Sequence, residues 1–195
     1  MTVRQSVSKT LYPLIIKAGD WFGLKSGVLH NEKNIEPPVS FYSLTAIANN
    51  GQAIYFKAYE GKKVLLVNTA SDCGYTAQYD ELQRLNEQHK DKLVILGFPS
   101  NDFKEQEKGT DAQIAEFCKV NFGMTFPLMK KSQVINGGQQ NKVFSWLSNK
   151  NKNGWNDKAP EWNFSKYLVN EQGMLTHYFA PAVSPLSDEF RKHLG

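Results

Sequence analysis

Lys63-Val64-Leu65-Leu66-Val67-Asn68-Thr69-Ala70 decides how this chain folds. The run is apolar and of strand length, as expected of a central strand covered on both faces. Ser71-Asp72-Cys73-Gly74-Tyr75 follows at once. From Thr76 to Gln88 the apolar residues Tyr79, Leu82 and Leu85 then recur at helical spacing.

Outward from this unit the alternation continues. Lys92 to Phe98 reads as a second buried strand, and Ala53 to Ala58 as a weak one. Thr110 or Asp111 can cap a helix carrying Ile114, Phe117, Cys118 and Phe122. Asn141 to Leu147 reads as a short helix. Tyr167 to Asn170 and Leu175 to Phe179 form a hairpin around Glu171-Gln172-Gly173, and a last helix follows Ser184 to Ser187. Asn149 to Pro160 is polar and reads as a loop. The order predicts an α/β fold, with a central mixed sheet and helices on both faces.

Residues 1–38 differ from the rest and are read as an N-terminal extension, with the domain occupying 39–195. Val7, Leu11, Ile15, Ala18 and Phe22 suit an amphipathic helix docked on the domain or on a membrane surface. Glu36-Pro37-Pro38 marks the boundary. The Leu11–Ile16 apolar run is short and broken by Pro13, which fits no signal peptide.

Composition narrows the function. In 195 residues, 41% are hydrophobic and 22% charged, the balance of a globular protein. A net charge of +4 is too small and too scattered to suggest nucleic acid. The four His make no metal-ligand spacing with each other or with the two cysteines, so no metal is expected. No nucleotide-binding loop is visible, and no cofactor is expected. What remains is a domain whose two thiols, Cys73 and Cys118, are inert, paired or catalytic.

Cys73 is placed at the carboxyl end of a strand, where open α/β sheets carry their sites, and near a helix N-terminus, which favours an anion. An ordinary thiol is only about 3% ionised at pH 7, while a pKa near 6 gives about 90%. The helix end contributes only about 1 kcal/mol, so further donors are expected around the sulfur, with Asp72 pointing elsewhere. Thr76 excludes a Cys-x-x-Cys exchanger. By itself, a Cys after a strand also fits a small core residue, and Cys118 on an apolar helix face also fits core filler.

Three segments carry a resemblance. Asn68 to Thr76, Leu96 to Gly109 (LGFPSNDFKEQEKG) and Trp162 to Val169 (WNFSKYLV) resemble the motifs of the glutathione peroxidases, in that family's order, over residues 39–194. The resemblance implies a thioredoxin-like fold and reduction of hydroperoxides. It implies that Cys73 attacks the peroxide, with Gln106, Trp162 and Asn163 as polar residues around it. Their amide and indole N–H groups are donors suited to holding a thiolate and a developing oxyanion. Ser100, Asp102 and Lys108 depart from the usual Cys, Gln and Pro of the family.

Oxidation would leave Cys73 as a sulfenic acid. Phe117 to Gly123 resembles the segment bearing the resolving cysteine of thioredoxin-dependent members, which assigns that role to Cys118. Joining the two sulfurs would require partial unwinding of the helix around residues 112–122. The stretch from Trp146 to Trp162 is short compared with the glutathione-dependent tetramers. The resemblance thus implies a monomer or weak dimer with thioredoxin, or else glutathione, as reductant. Two cycling thiols suit a reducing cytoplasm. The alternatives are a peroxide sensor passing oxidation to a partner, with the same chemistry at Cys73, and a non-catalytic adaptor.

Overall fold

The computed structural model describes residues 27–195. The amphipathic spacing over Val7–Phe22 lies outside the described residues.

Seven strands are described: β1 Val28–His30, β2 Thr45–Ile47, β3 Ala53–Tyr55, β4 Lys63–Thr69, β5 Leu93–Pro99, β6 Lys166–Val169 and β7 Leu175–Phe179. The main sheet runs β1-β7-β6-β4-β5, and β2 pairs with β3 in a separate ribbon. The β4–β5 pair is parallel, while β6, β7 and β1 join antiparallel, which gives the mixed sheet expected. The described α-helices are α1 Gln78–His89, α2 Asp111–Phe122, α3 Lys142–Leu147, α4 Lys150–Asn153 and α5 Asp188–Arg191.

Strand alternation explains the apolar run of β4. Leu65 and Val67 face a core closed by Tyr79, Leu82 and Leu85 of α1, with Ile114, Cys118 and Phe122 of α2. Val64 and Leu66 face a second core holding Phe41, Phe56, Phe98 and Trp146. Every residue from Val64 to Thr69 is therefore buried, and no polar alternation survives. The edge of β5 is covered by residues 127–129, where Met129 N donates to the Gly97 carbonyl at 2.7 Å.

Several expectations need correction. The weak strand ends at Tyr55, because the chain turns through a 3-10 segment, Phe56–Tyr59, that inserts Phe56 fully into the core. The polar stretch 149–160 is not an open loop. It contains α4, and buried Asn153 donates to the carbonyls of Trp146, Leu147 and Asn156. Within the stretch set apart as an extension, Val28–His30 is the edge strand of the main sheet, paired with β7. The proline pair at 37–38 thus falls inside the sheet-bearing unit. Its composition reflects an exposed connection, not the start of the fold. Among the described residues, no helix is long and apolar enough to cross a membrane.

Candidate active site

The ends of β4 and β5 place the loops that surround Cys73. Asp72 N donates to the Gln106 carbonyl at 3.0 Å, and Ser100 N to the Thr69 carbonyl at 3.0 Å, so the loop after β4 is held against the loop after β5. Between Cys73 and α1 the chain runs through overlapping turns, in which Thr76 N bonds the Cys73 carbonyl and Gln78 N the Tyr75 carbonyl. Regular helix begins only at Gln78. The thiol therefore sits ahead of α1, not directly on its N-terminus, and Tyr75 N–H is the backbone donor that reaches Sγ, at 3.5 Å.

The third loop is set by Asn68, fully buried on β4. Its Nδ2 donates to the Trp162 carbonyl at 3.0 Å, and its Oδ1 accepts from Ser165 N at 3.0 Å. Phe164 N donates to the Asn68 backbone carbonyl at 2.6 Å. These bonds hold a turn in which Phe164 takes φ 68°, a left-handed conformation costly for a bulky residue. Trp162 and Asn163 project from that turn. The Trp162 ring lies 5.4 Å from Phe103, with Lys104 Nζ 5.6 Å from its centroid. Lys104 and Glu105 are also left-handed, at φ 49° and 52°.

Cys73, Trp162 and Asn163 meet. Both side-chain donors, the Trp162 indole and the Asn163 amide, act on the Cys73 sulfur and favour its anion. Gln106 enters differently from the expectation of a direct donor. Its Oε1 accepts from Asn163 Nδ2 at 2.9 Å, so the contact seen is to the amide beside the sulfur. Asn163 Oδ1 is buried without a hydrogen-bond partner among the described residues.

The expected depression of the Cys73 pKa is not present in this state. The residue is 3% exposed, and loss of hydration pushes its thiol above the ordinary range. Tyr75, Asn163 and Trp162 oppose that shift without overcoming it, and the Asp72 charge adds to it.

Cys118 is fully buried on the inner face of α2 and shares the core with Cys73. Both cysteines are free. Burial raises the Cys118 thiol to about 12. Among the positions that depart from the family pattern, Asp102 anchors a neighbouring segment, since its Oδ2 accepts from Val134 N at 2.6 Å and Ile135 N at 3.2 Å. Lys108 is exposed and pairs with Glu105 at 3.0 Å. Among the described residues, no group of three or more His, Cys, Asp or Glu is arranged to hold a metal.

Two residues escape a reading of the sequence by itself. Asn68 is one polar residue in a buried strand, and its pairing with residues 162–165 is entirely non-local. Glu107 sits in a charged run that reads as a solvated loop, yet it is 1% exposed.

The glutathione peroxidase family model matches residues 41–148. The chain belongs to the glutathione peroxidase family. Membership makes it a peroxidase, an oxidoreductase. The family's glutathione peroxidase-like peroxiredoxin GPX5 of Chlamydomonas reinhardtii is 47% identical over 148 residues, 75% of this chain and 90% of that protein. Glutathione peroxidase-like peroxiredoxin 2 of Saccharomyces cerevisiae is 44% identical over 149 residues, covering 76% and 91%. Among solved structures, Trgpx in apo form superposes with a TM-score of 0.60 at 30% identity, covering 80% of this chain and 96% of that one. A thioredoxin-family thiol:disulfide interchange protein from Chlorobium tepidum gives 0.59 at 11% identity, covering 85% and 100%. The fold of this glutathione peroxidase family member is thus thioredoxin-like.

Proposed function

We propose that this family member reduces hydroperoxides at Cys73, is resolved by Cys118 and is recycled by a thioredoxin-type protein. The observation that carries the reading is the meeting of Trp162 and Asn163 on the Cys73 sulfur at the carboxyl end of β4.

The burial of Cys73 shapes the mechanism. Few molecules hold a standing thiolate, so the proton leaves as peroxide is attacked. The sulfur takes the nearer peroxide oxygen and the O–O bond breaks. The departing oxygen accepts the thiol proton and leaves as water or an alcohol. Sulfur is oxidised to sulfenic acid and the peroxide is reduced. The indole and amide donors stabilise sulfur while it carries negative charge, a contribution of about 3 kcal/mol for a well-placed donor.

Cys118 then attacks the sulfenic sulfur, forming an S–S bond and releasing water. Disulfide geometry requires Cα atoms within about 7 Å, and Cys118 is fully buried within α2, so its attack is coupled to yielding of that helix. A cleft lined by Ser71, Asp72, Gln106 and, from α2, Phe117 lies beside the site and suits a protein reductant, a bulky organic or lipid peroxide and a monomer or weak dimer. Two thiols that must return to the reduced form suit a cytoplasmic setting. Membrane contact through residues 1–38 is not needed for this chemistry.

The test is peroxide-dependent NADPH consumption with thioredoxin and its reductase, against glutathione and its reductase. Turnover with thioredoxin that disappears in both Cys73→Ser and Cys118→Ser supports the reading. Full activity in Cys118→Ser would make an external thiol the resolving agent. A wild type that oxidises once and never turns over would instead be a sensor.

A further inference from the structure

Lys166 opens β6, directly beyond the turn that carries Trp162 and Asn163, and it is fully buried. Strand pairing sets it between Val67 of β4 and Phe179 of β7. Its Nζ donates to Gln78 Oε1 at 2.7 Å, to the Phe164 carbonyl at 2.8 Å and to the Pro181 carbonyl at 3.2 Å. Gln78 in turn donates from Nε2 to the Pro181 carbonyl at 2.6 Å.

Each acceptor belongs to a different part of the site. Gln78 is the first residue of α1, where the turns that begin at Cys73 become regular helix. Phe164 is the left-handed residue of the Trp162–Asn163 turn, and its N–H is already bonded to the Asn68 carbonyl. Pro181 lies in the segment that follows β7. An ammonium has three N–H donors and no acceptor, so the three oxygens match it one for one.

An aliphatic side chain would fill this place without the cost of stripping an ammonium of water. The three partners of Lys166 are neutral oxygens. The charge that acts on it is Glu81 of α1, which favours the ammonium and itself accepts from Ser184 Oγ at 2.7 Å. Val67 and Phe179, beside it on β4 and β7, carry no charge.

We infer that Lys166 is a positioning residue for peroxide reduction: its ammonium clamps the Phe164 carbonyl to the head of α1 and so holds in place the turn whose Trp162 and Asn163 donors favour the Cys73 anion. This rests on the peroxidase reading above. The clamp needs its proton. A neutral amine brings two donors and a lone pair to the same three oxygens, so one of them is left facing a lone pair. The strained Phe164 turn is then gripped at its N–H alone, and the two donors lose their register with the sulfur. Burial lowers Lys166 to about 7, with Glu81 opposing, so the clamp is closed below neutral pH and opens above it.

The test follows two signals from about pH 5.5 to 9: Trp162 emission in the reduced protein, taken as the difference from Trp162→Phe, and the stopped-flow rate of Cys73 oxidation by hydrogen peroxide. In wild type, Trp162 emission should change through an inflection near pH 7. Lys166→Met should remove that inflection and, at about pH 6, lower the oxidation rate about a hundredfold. Glu81→Gln withdraws the charge that favours the ammonium, so the inflection should move to lower pH. A folded Lys166→Met protein that oxidises Cys73 at the wild-type rate overturns the proposal. If that variant does not fold, an inflection that stays in place in Glu81→Gln overturns it equally. Peroxide reduction by a wild type whose Trp162 emission shows no inflection overturns the clamp and leaves the peroxidase reading standing. A wild type that consumes no peroxide sinks both.

Discussion

Asn163 Nδ2 donates to Gln106 Oε1 at 2.9 Å, so the amide that favours the Cys73 anion is itself oriented by the loop after β5. Asn163 is fully buried, and this bond fixes its amide, so Gln106 acts on the sulfur through it. Asn163→Ala should lower the peroxide oxidation rate of Cys73 by about a hundredfold. Gln106→Ala should cost less, and the double variant should be no slower than Asn163→Ala. Stopped-flow peroxide kinetics on the three proteins checks this. Additive losses would mean that Gln106 contacts the reacting atoms independently.

The Cys73 thiol should titrate above the ordinary thiol range in the reduced protein, since burial dominates its surroundings. Removing the Asn163 donor withdraws a group that favours the anion, so the titration should move higher still. Alkylation rates against pH, with Cys118→Ala as background, read this directly. A midpoint below about pH 7 would show that a thiolate stands ready before peroxide arrives.

Asn68 should behave as a positioning residue. Asn68→Ala leaves the Trp162 carbonyl and the Ser165 N–H without their buried partner, at a cost of about 2–4 kcal/mol. Peroxide reduction should fall with it, and Trp162 fluorescence should shift in the reduced protein. Urea denaturation gives the stability change. A stable variant with unaltered activity would mean that the turn holds itself.

Acid should loosen the sheet edge at β1 and β7. The His177 ring lies tilted against His193 at 3.9 Å between ring centroids and stacks on Phe179 at 5.6 Å, and burial lowers its pKa to about 4, with His193 and His30 adding to the shift. A neutral His in the folded state and an ordinary one in the unfolded state give stability that is complete above about pH 6.5 and lost as pH falls toward 4. The partial exposure of His177 limits the effect to about 1–2 kcal/mol. Urea midpoints at about pH 7.5, above that window, and about pH 4.5, near its lower end, should differ more in wild type than in His177→Phe.

Gly154 should tolerate no side chain. Its φ is 99°, and an added Cβ would lie 2.8 Å from the Glu36 carbonyl oxygen. Gly154→Ala is expected to cost about 3 kcal/mol and to loosen the contact between residues 35–36 and the end of α4. Thermal unfolding checks the first, and hydrogen exchange near residue 36 the second.

Much of this molecule is written locally. The apolar run of β4 demanded a covering layer on each face, and Leu65 and Val67 do pack into one core while Val64 and Leu66 pack into the other. Thr110 caps α2 with a reciprocal bond to Gln113, a signal carried by four adjacent residues. The three motifs bring Cys73, Trp162 and Asn163 to one place because each closes a strand end in the same sheet.

Other features depend on contacts between distant segments. Val28–His30 looks like part of a tail until β7 offers it an edge. Whether Cys73 is a thiol or a thiolate depends on how much water the fold removes, and short-range sequence suggested the opposite sign. Glu107 reads as one charge among several in a loop, and only the packing of α1, α2 and the Cys73 loop makes it a buried carboxyl. Sequence determined the strand and helix periods and the residue types available for chemistry, because those depend on near neighbours. Tertiary structure decided which donor reaches which atom and which charge is stripped of water, because desolvation and hydrogen-bond geometry are properties of segments brought together from far apart.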